Sequence, residues 1–438
     1  METIVIVGGG AGGLELATRL GNTLGKSARA HIVLVDRTPG HFWKPLLHTV
    51  ASGKVDPQVT QIEFSAQAAG HHFEFVQAEV LSVRREQRTL ELAPRCIDGR
   101  EVQPRRALEY DKLVLALGSV TNFYDVPGAA SNALTLESVA QAEQFRQRFV
   151  NACIRAGETK KNGLPLEATL AGVNVVIIGG GATGVELAAE LGHSARALAR
   201  YKVTALDPER DVRISIIERG PYLLPHLHPQ QSRGAAHYLR KRGIEVLTNT
   251  AVDSVAPGTV HATRDGVVRG YPADLALWAA GVEAPALCTT LGLPVNRMKQ
   301  VMVDASLRAP DDHRIYAIGD CAGYVCPRKG AAPPRAQVAH QQAMFLADLL
   351  ACKDDAPRAA FRYRDYGSLV SLGPDAAVGV LHGVLSGLRL PVRGATARWL
   401  YALMYQKHML ALHGAVRMAA QTLVDWLRAK ILPPVKLH

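Results

Sequence analysis

Three glycines, Gly8, Gly10 and Gly13, follow an apolar run from Ile4 to Val7 and precede Leu14, Leu16 and Leu20, which suit one face of a helix. In this spacing the first glycine permits a tight turn and the second lets a pyrophosphate approach the backbone. The third lets the helix lie close to the strand, and the helix start offers its free N–H groups to the phosphates. The context is complete: AHIVLVD ends on Asp36, 23 residues past Gly13, where a carboxylate can accept hydrogen bonds from ribose hydroxyls. The pattern returns in VNVVIIGGGATGVELAAELG, with Gly179, Gly181 and Gly184, and the strand VRISIIE ends on Glu218. The segment between helix and strand, including YKVTALDPERD, is longer here and predicts a surface insertion. Glu218 suits free ribose hydroxyls and repels a 2′-phosphate, favouring NADH; the adjacent Arg219 leaves NADPH open.

The elements that must position these loops can be read around them. The fingerprints lie about 170 residues apart, too far for adjacent repeats, and so predict two domains that each hold a dinucleotide. YDKLVLALGS, ending near Gly118, and ADLALWAAGV, ending near Gly281, each run from an acid through an apolar strand to a small-residue end. RIYAIGDCAG delivers Asp320 from another strand end, as a partner for a ribityl hydroxyl or a phosphate-bound water, or else as a helix cap. Placing residues beyond 300 back in the first domain makes the second domain an insertion. The predicted fold class is α/β: two Rossmann-type dinucleotide-binding domains, one inserted in the other, plus a C-terminal amphipathic helical membrane-association region. The expected divisions are 1–125 and 286–345 for the first domain, 126–285 for the second and 346–438 for the C-terminal region.

At 438 residues, 48% hydrophobic and 20% charged, the chain is an ordinary globular protein with ample core. Six scattered cysteines do not form the framework of a small secreted domain. Cys321 and Cys326 are spaced either as a redox pair or as two inert thiols. No cationic and apolar leader precedes Gly8, which predicts a reducing, cytoplasmic setting. The net charge of +11 is concentrated at the end: Arg389, Arg393, Arg398, Lys407, Arg417, Arg428, Lys430 and Lys436 face one acid, Asp425. Arg417, Gln421, Asp425 and Arg428 share a helical face, with Leu423, Val424, Trp426, Leu427 and Ile431 around the rest. No uncharged apolar run there approaches the roughly 20 residues of a membrane span. The pattern predicts an interfacial helix on an anionic lipid surface, or else a docking or dimerisation helix; a homodimer stays open. Interleaved aliphatic residues and the absence of any nucleic-acid motif argue against nucleic-acid binding.

The paired fingerprints, the two small-residue strand ends and IYAIGDCA together resemble the two-dinucleotide-domain flavoproteins. Within them, VDRTPGHFWKPLLHTVASGKVD, PPRAQVAHQ, GSLVSLG and the ending LYALMYQKHMLALHG…PPVKLH resemble bacterial type II NADH dehydrogenase, from the first ten residues to the last six. The resemblance implies a non-proton-pumping NADH:quinone oxidoreductase with non-covalent FAD, peripheral on the cytoplasmic side of the inner membrane. It implies FAD at Gly8, Gly10, Gly13, Asp36, Gly118 and Asp320, and NADH at Gly179, Gly181, Gly184, Glu218 and Gly281. Glu186 matches the acid that lies near the nicotinamide, or is a first-turn helix acid. Lys44 would stand beside the isoalloxazine, stabilising its reduced form, or is a solvated loop lysine. Trp43 and Phe42 would pack on the flavin or fill core, core being the better reading for Phe42.

Gln337 and Gln341, four apart on a helix after Pro-Pro, match the family's quinone-lining pattern, with Gln337 also against the flavin and Ala336 leaving room for a flat ring. Glutamine amides can hydrogen-bond quinone carbonyls, and His340 between them is a candidate proton donor. Positions 37–60 contain no cysteine, so a thiol relay has no material there and electrons must leave the flavin directly. The expected acceptor is a membrane quinone; no metal-ligand cluster is visible. The other readings are a soluble NADH-dependent flavin reductase or oxidase, and an NADH-sensing flavoprotein.

Overall fold

The computed structural model describes residues 1–161, 172–327, 330–352, 360–382, 389–431 and 436. The expected contributions of the Arg389, Arg398, Gln421, Asp425, Trp426, Arg428 and Lys430 side chains lie outside what is described. The chain divides into two compact units. One comprises Met1–Trp43, Gln61–Val120 and Val282–Asp365; the other comprises Lys44–Thr60, Thr121–Gly281 and Tyr366–His438. Each is built on a Rossmann-type parallel sheet, and the second interrupts the first.

In the first unit, Glu74–Gln77, Ala30–Asp36, Glu2–Val7, Lys112–Leu115 and Asp312–Ala317 lie side by side in that order, all parallel. Arg308–Ala309 runs antiparallel at one edge. The runs IVIV and IVLV are buried throughout, as strands covered on both faces require. Strand order reverses about Glu2–Val7, and ligands of such sheets bind at the carboxyl ends of the strands where that happens. Val7 is level with Val35 and Leu115, so the glycine loop leaves the sheet between the ends of both neighbours.

The second unit repeats this with Ile244–Leu247, Val212–Ile217, Val173–Ile178 and Leu275–Trp278, again all parallel. The helix Ala182–Arg200 follows its fingerprint. The long helix Val139–Lys161 precedes it. YKVTALDPERD is more than a surface insertion. Leu206 is buried, Thr204 Oγ1 donates to Cys153 O at 2.7 Å, and Asp207 caps the short helix Pro208–Asp211. The segment packs closely on Val139–Lys161, where a Cβ on Gly157 would lie 2.2 Å from Thr204 Oγ1 and 2.8 Å from Ala205 N.

The C-terminal part of the second unit begins with an antiparallel meander, Gly367–Ser371, Ala377–His382 and Arg389–Arg393. A helical segment, Gly394–Ile431, follows, broken at Gly414 where φ is +73° and ψ 172°. Only glycine takes such a conformation readily. Thr422 Oγ1 meets Gln406 Oε1 at 3.0 Å from equal distances either side of the break, so the limbs fold back on each other. The first limb is anchored: Ala397 is buried with Leu369 and Ala377, and Leu400 and Tyr401 pack on them. Outward face Trp399, Leu403, Met404 and Leu410 on this limb, and Val416, Leu423, Val424, Leu427 and Ile431 on the other. Among the described residues no helix is long and apolar enough to cross a membrane.

Candidate active site

Each glycine loop has the geometry of a phosphate cradle. Gly8 and Gly179 have φ of +104° and +112°, and a Cβ on either would lie 2.3 Å from Ala116 O or 2.4 Å from Ala279 O. Each first glycine is therefore pressed against the end of the small-residue strand, LVLAL in one unit and LALWAA in the other. A Cβ on Gly13 or Gly184 would strike the carbonyl of Gly8 or Gly179. The second glycines differ: a Cβ on Gly10 or Gly181 meets nothing within 4 Å, which is the open approach a pyrophosphate needs. Ala11–Leu20 and Ala182–Arg200 both begin with no side-chain cap and no acid in the first turn. Their N–H groups are left for an anion.

The carboxylates at the ends of the second strands have a task within the protein itself. Asp36 Oδ2 accepts from Gly9 N at 2.6 Å, and Oδ1 accepts from Thr38 N and Oγ1 at 2.8 and 2.7 Å. Glu218 Oε2 accepts from Gly180 N at 2.7 Å, and Oε1 from Gly220 N at 2.6 Å. Each acid thus holds the residue between the first two glycines. Neighbouring groups complete the first cradle. His41 Nδ1 is 2.9 Å from Gly9 O. Ser119 Oγ, beside Gly118, donates to Asp320 Oδ2 at 2.8 Å, and Gln300 Nε2 donates to Asp320 O. Asp320 lies in the one-turn helix Gly319–Cys321 and caps no later helix. Gln342, fully buried, accepts from Gly319 N at 2.7 Å. His41, Gln300 and Gln342 carried no sequence signal, because each acts on a backbone atom distant in the chain. In the second unit Gly281 abuts Tyr124, whose OH would lie 2.0 Å from a Cβ, so this glycine also makes room for a side chain.

Cys321 and Cys326 do not pair. The extended strand Ala322–Cys326 separates them, about 16 Å at roughly 3.3 Å per residue. The thiol that Cys321 meets is Cys288.

The helix Ala336–Ala351 begins after Arg335 with no side-chain cap. Tyr363 O–H donates to Gln337 Oε1 at 2.9 Å, and among the described residues the Gln337 amide N–H2 makes no hydrogen bond. The glutamine is thus oriented with its donor end available. Burial, then the Asp365 charge, push Tyr363 up to about 12, so it keeps its proton at neutral pH. Gln341 is committed differently: Nε2 donates to Arg364 O at 2.8 Å and Oε1 accepts from Arg364 N at 2.9 Å. Both ends of its amide tie down the segment that carries Tyr363.

Glu186 is the fifth residue of its helix, buried, and not a first-turn acid. Its carboxyl accepts from Ser371 N at 3.0 Å, hydrogen-bonds Tyr401, and lies 3.4 Å from His48 Nδ1. Burial raises Glu186 to about 8, offset in part by the Ser371 and Tyr401 hydrogen bonds. Burial and then the Lys54 charge lower His48 to about 3. The separation would allow an ion pair, but a buried site of this kind favours the neutral forms of both partners at pH 7. Lys54 itself pairs with Glu190 at 2.7 Å, and Ser194 Oγ donates to Ser52 O. Lys44 starts the one-turn helix Lys44–Leu46 and is exposed. Of the aromatic residues before it, Trp43 is buried and Phe42, expected in the core, only half-buried.

The chain matches the model of the pyridine nucleotide-disulphide oxidoreductase family over residues 2–343. It is 38% identical, over the full length of both chains, to the type II NADH:quinone oxidoreductase of Haemophilus influenzae. The chain belongs to the type II NADH:quinone oxidoreductases. Another relative of this oxidoreductase is the demethylphylloquinone reductase NdbB of Synechocystis, 28% identical over 97% of each chain. The fold of this chain is similar to that of NDH2 from Plasmodium falciparum solved with NADH, with a TM-score of 0.82 at 21% identity, covering 99% of this chain and 100% of that one. The open cradles and uncapped helix starts fit a flavin and a nicotinamide dinucleotide.

Removing the clamp by Asp36→Ala takes away the acceptor for Gly9 N and Thr38. The flavin should then be held about 10-fold more weakly or worse, read as flavin per protein after ultrafiltration; an unchanged ratio would show that the loop keeps its shape without the carboxylate. A carboxyl whose pKa rises on folding binds its proton more tightly when folded. Its contribution is therefore complete below the ordinary 4.5 and is lost as pH rises through about 8. Glu186→Gln should accordingly melt increasingly above the unsubstituted protein as pH rises from 5 to 9. A pH-independent difference in Tm would mean that Glu186 is ionised when folded. His48 acts in the opposite sense, losing its contribution as pH falls from 6.5 towards about 3.

Proposed function

We propose that this chain oxidises NADH and reduces a membrane quinone through non-covalently bound FAD, without moving protons across the membrane. The observation that carries the reading is Gln337, oriented by Tyr363 at an uncapped helix start with its amide donor available, in a member of a quinone-reducing family. We assign 1–125 and 286–345 to FAD, 126–285 to NADH and 346–438 to the membrane contact.

Gly8, Gly10 and Gly13 admit the FAD pyrophosphate, Asp36 accepts from its ribose while holding Gly9, and Asp320 beside Gly118 binds the ribityl end. Gly179, Gly181 and Gly184 do the same for NADH, with Glu218 on its ribose and Gly281 keeping the strand end slim. When bound, the flavin accepts hydride from NADH and delivers two electrons onward. Lys44 provides positive charge for the flavin N1–C2=O edge. Glu186 lies to the nicotinamide side, and its neutral form spares the site a buried charge. Gln337 borders the flavin and donates through Nε2 to a quinone carbonyl; Gln341 contributes by fixing the segment that carries Tyr363. The net reaction is NADH + H⁺ + quinone → NAD⁺ + quinol.

Quinone lives in lipid, and the exposed apolar residues on both limbs of Gly394–Ile431, beside Arg393, Lys407 and Arg417, support seating on an anionic surface. We place that surface on the cytoplasmic side of the inner membrane, where NADH is produced. The competing use of this face is pairing of two copies.

The deciding experiment follows NADH oxidation anaerobically at 340 nm with and without a short-chain quinone. Rapid oxidation only with quinone is expected; reduction that stalls with quinone but proceeds with oxygen would replace this reading by that of a flavin oxidase. Gln337→Ala should lower quinone turnover about 10-fold relative to NADH:ferricyanide turnover, the scale of one lost hydrogen bond; equal losses would remove Gln337 from the quinone site. Leu423→Glu with Leu427→Glu should release the protein from anionic vesicles in sedimentation. Retained binding would refute the lipid assignment, and a halved mass in solution would assign the face to a homodimer.

A further inference from the structure

The fingerprint helix Ala11–Leu20 carries one acid, Glu15, and buries it between Leu14 and Leu16. A carboxylate is costly in such a place unless it is partnered. One partner is His340, whose Nδ1 lies 2.5 Å from Glu15 Oε2. The helices approach closely enough because Gly12 faces Ala339, where a Cβ would come within 3.2 Å of the Ala339 carbonyl. The carboxylate is 3% exposed and the imidazole 23%, so one ring nitrogen is anchored inside while the ring still reaches accessible space. His340 also stands three residues after Gln337, on the same face of Ala336–Ala351. The other charged groups of the two helices, Arg19 and Asp348, pair with each other at 2.8 Å. Arg335, at the helix start, lies 3.9 Å from Asp365.

We propose that His340, held through Nδ1 by the buried Glu15, delivers the proton that a quinone at Gln337 takes up on reduction, with Glu15 as its positioning residue. This rests on the NADH:quinone reading above. The hydride equivalent from NADH brings the quinone two electrons and one proton. The second proton leaves His340 Nε2 as that N–H bond breaks and an O–H bond forms on the quinone oxygen; solvent then restores it. Glu15 takes Nδ1–H as its hydrogen bond and fixes the ring, which leaves Nε2 as the nitrogen that takes up a proton from solvent and passes it on.

The test compares Glu15→Gln, Glu15→Leu, His340→Asn and the Glu15→Leu/His340→Asn pair, each loaded with flavin. Ferricyanide takes electrons without protons, so the ratio of quinone to ferricyanide turnover isolates proton delivery. We expect that ratio to fall about 100-fold in His340→Asn, the lower range for a lost general acid. It should fall about 10-fold in Glu15→Leu and less in Glu15→Gln, which keeps an acceptor oxygen. The double variant should be no worse than His340→Asn alone. In the resting protein, ¹⁵N-histidine spectra should show an exchange-protected Nδ1–H for His340, assigned by its loss in His340→Asn and exposed in Glu15→Leu. Quinone turnover in the unsubstituted protein with an unmoved ratio in Glu15→Leu, or additive losses in the pair, would overturn the inference and leave the function standing. Ferricyanide turnover without any quinone turnover in the unsubstituted protein would overturn the function itself, and the proton assignment with it.

Discussion

The acceptance of a glycine N–H by the carboxylate at the end of the neighbouring strand is the interaction on which both nucleotide cradles depend. Asp36 holds Gly9 and Glu218 holds Gly180. A loop rich in glycine has the largest backbone entropy to lose on ordering, and a phosphate cradle works only if its N–H groups are already aimed. One charged acceptor per loop, delivered by a rigid parallel strand, supplies that order. The same carboxylate also takes a second backbone N–H, from Thr38 in one loop and Gly220 in the other, so a single side chain shapes both arms of its turn. The parallel register leaves it little choice: Asp36 and Glu218 emerge where the sheet places the loop beside them.

A second constraint governs the polar groups sunk beneath the surface of the second unit. Glu186, His48 and Tyr401 come from the second fingerprint helix, the segment after GHFWKPLL and the first limb of the C-terminal helical region. Burial holds the acid protonated and the histidine neutral, and the remaining hydrogen bonds come from Ser371 N and the tyrosine. The first limb of Gly394–Ile431 is consequently part of this unit's interior and cannot be regarded as a detachable anchor. The apolar residues left outside, on both limbs, remain exposed.

The helix Ala336–Ala351 shows three neighbouring polar side chains put to three uses. Gln337 presents a donor, Gln341 clamps Arg364 at both ends of its amide, and Gln342 holds Gly319 from inside. Their directions on the helix decide this, since residues one apart point about 100° away from each other. His340 falls between them and finds the buried Glu15.

Much of this chain was legible from its residues. Both fingerprints, the acids at Asp36 and Glu218, the strand-end Asp320 and the parallel sheets follow from local pattern, because tight turns, helix starts and buried strands impose their chemistry within twenty or so residues. The missing cysteines between 37 and 60 were equally plain and directed attention to a diffusible acceptor. Only the tertiary structure decided what depends on distant partners. It set Trp43 inside and Phe42 towards the edge, matched Cys321 with Cys288, turned Glu186 towards Tyr401 and gave Gln341 to a backbone clamp. It also brought Glu15 to His340 across 325 residues. A side chain's type states which bonds it can make; which one it makes is set by packing, and packing belongs to the whole fold.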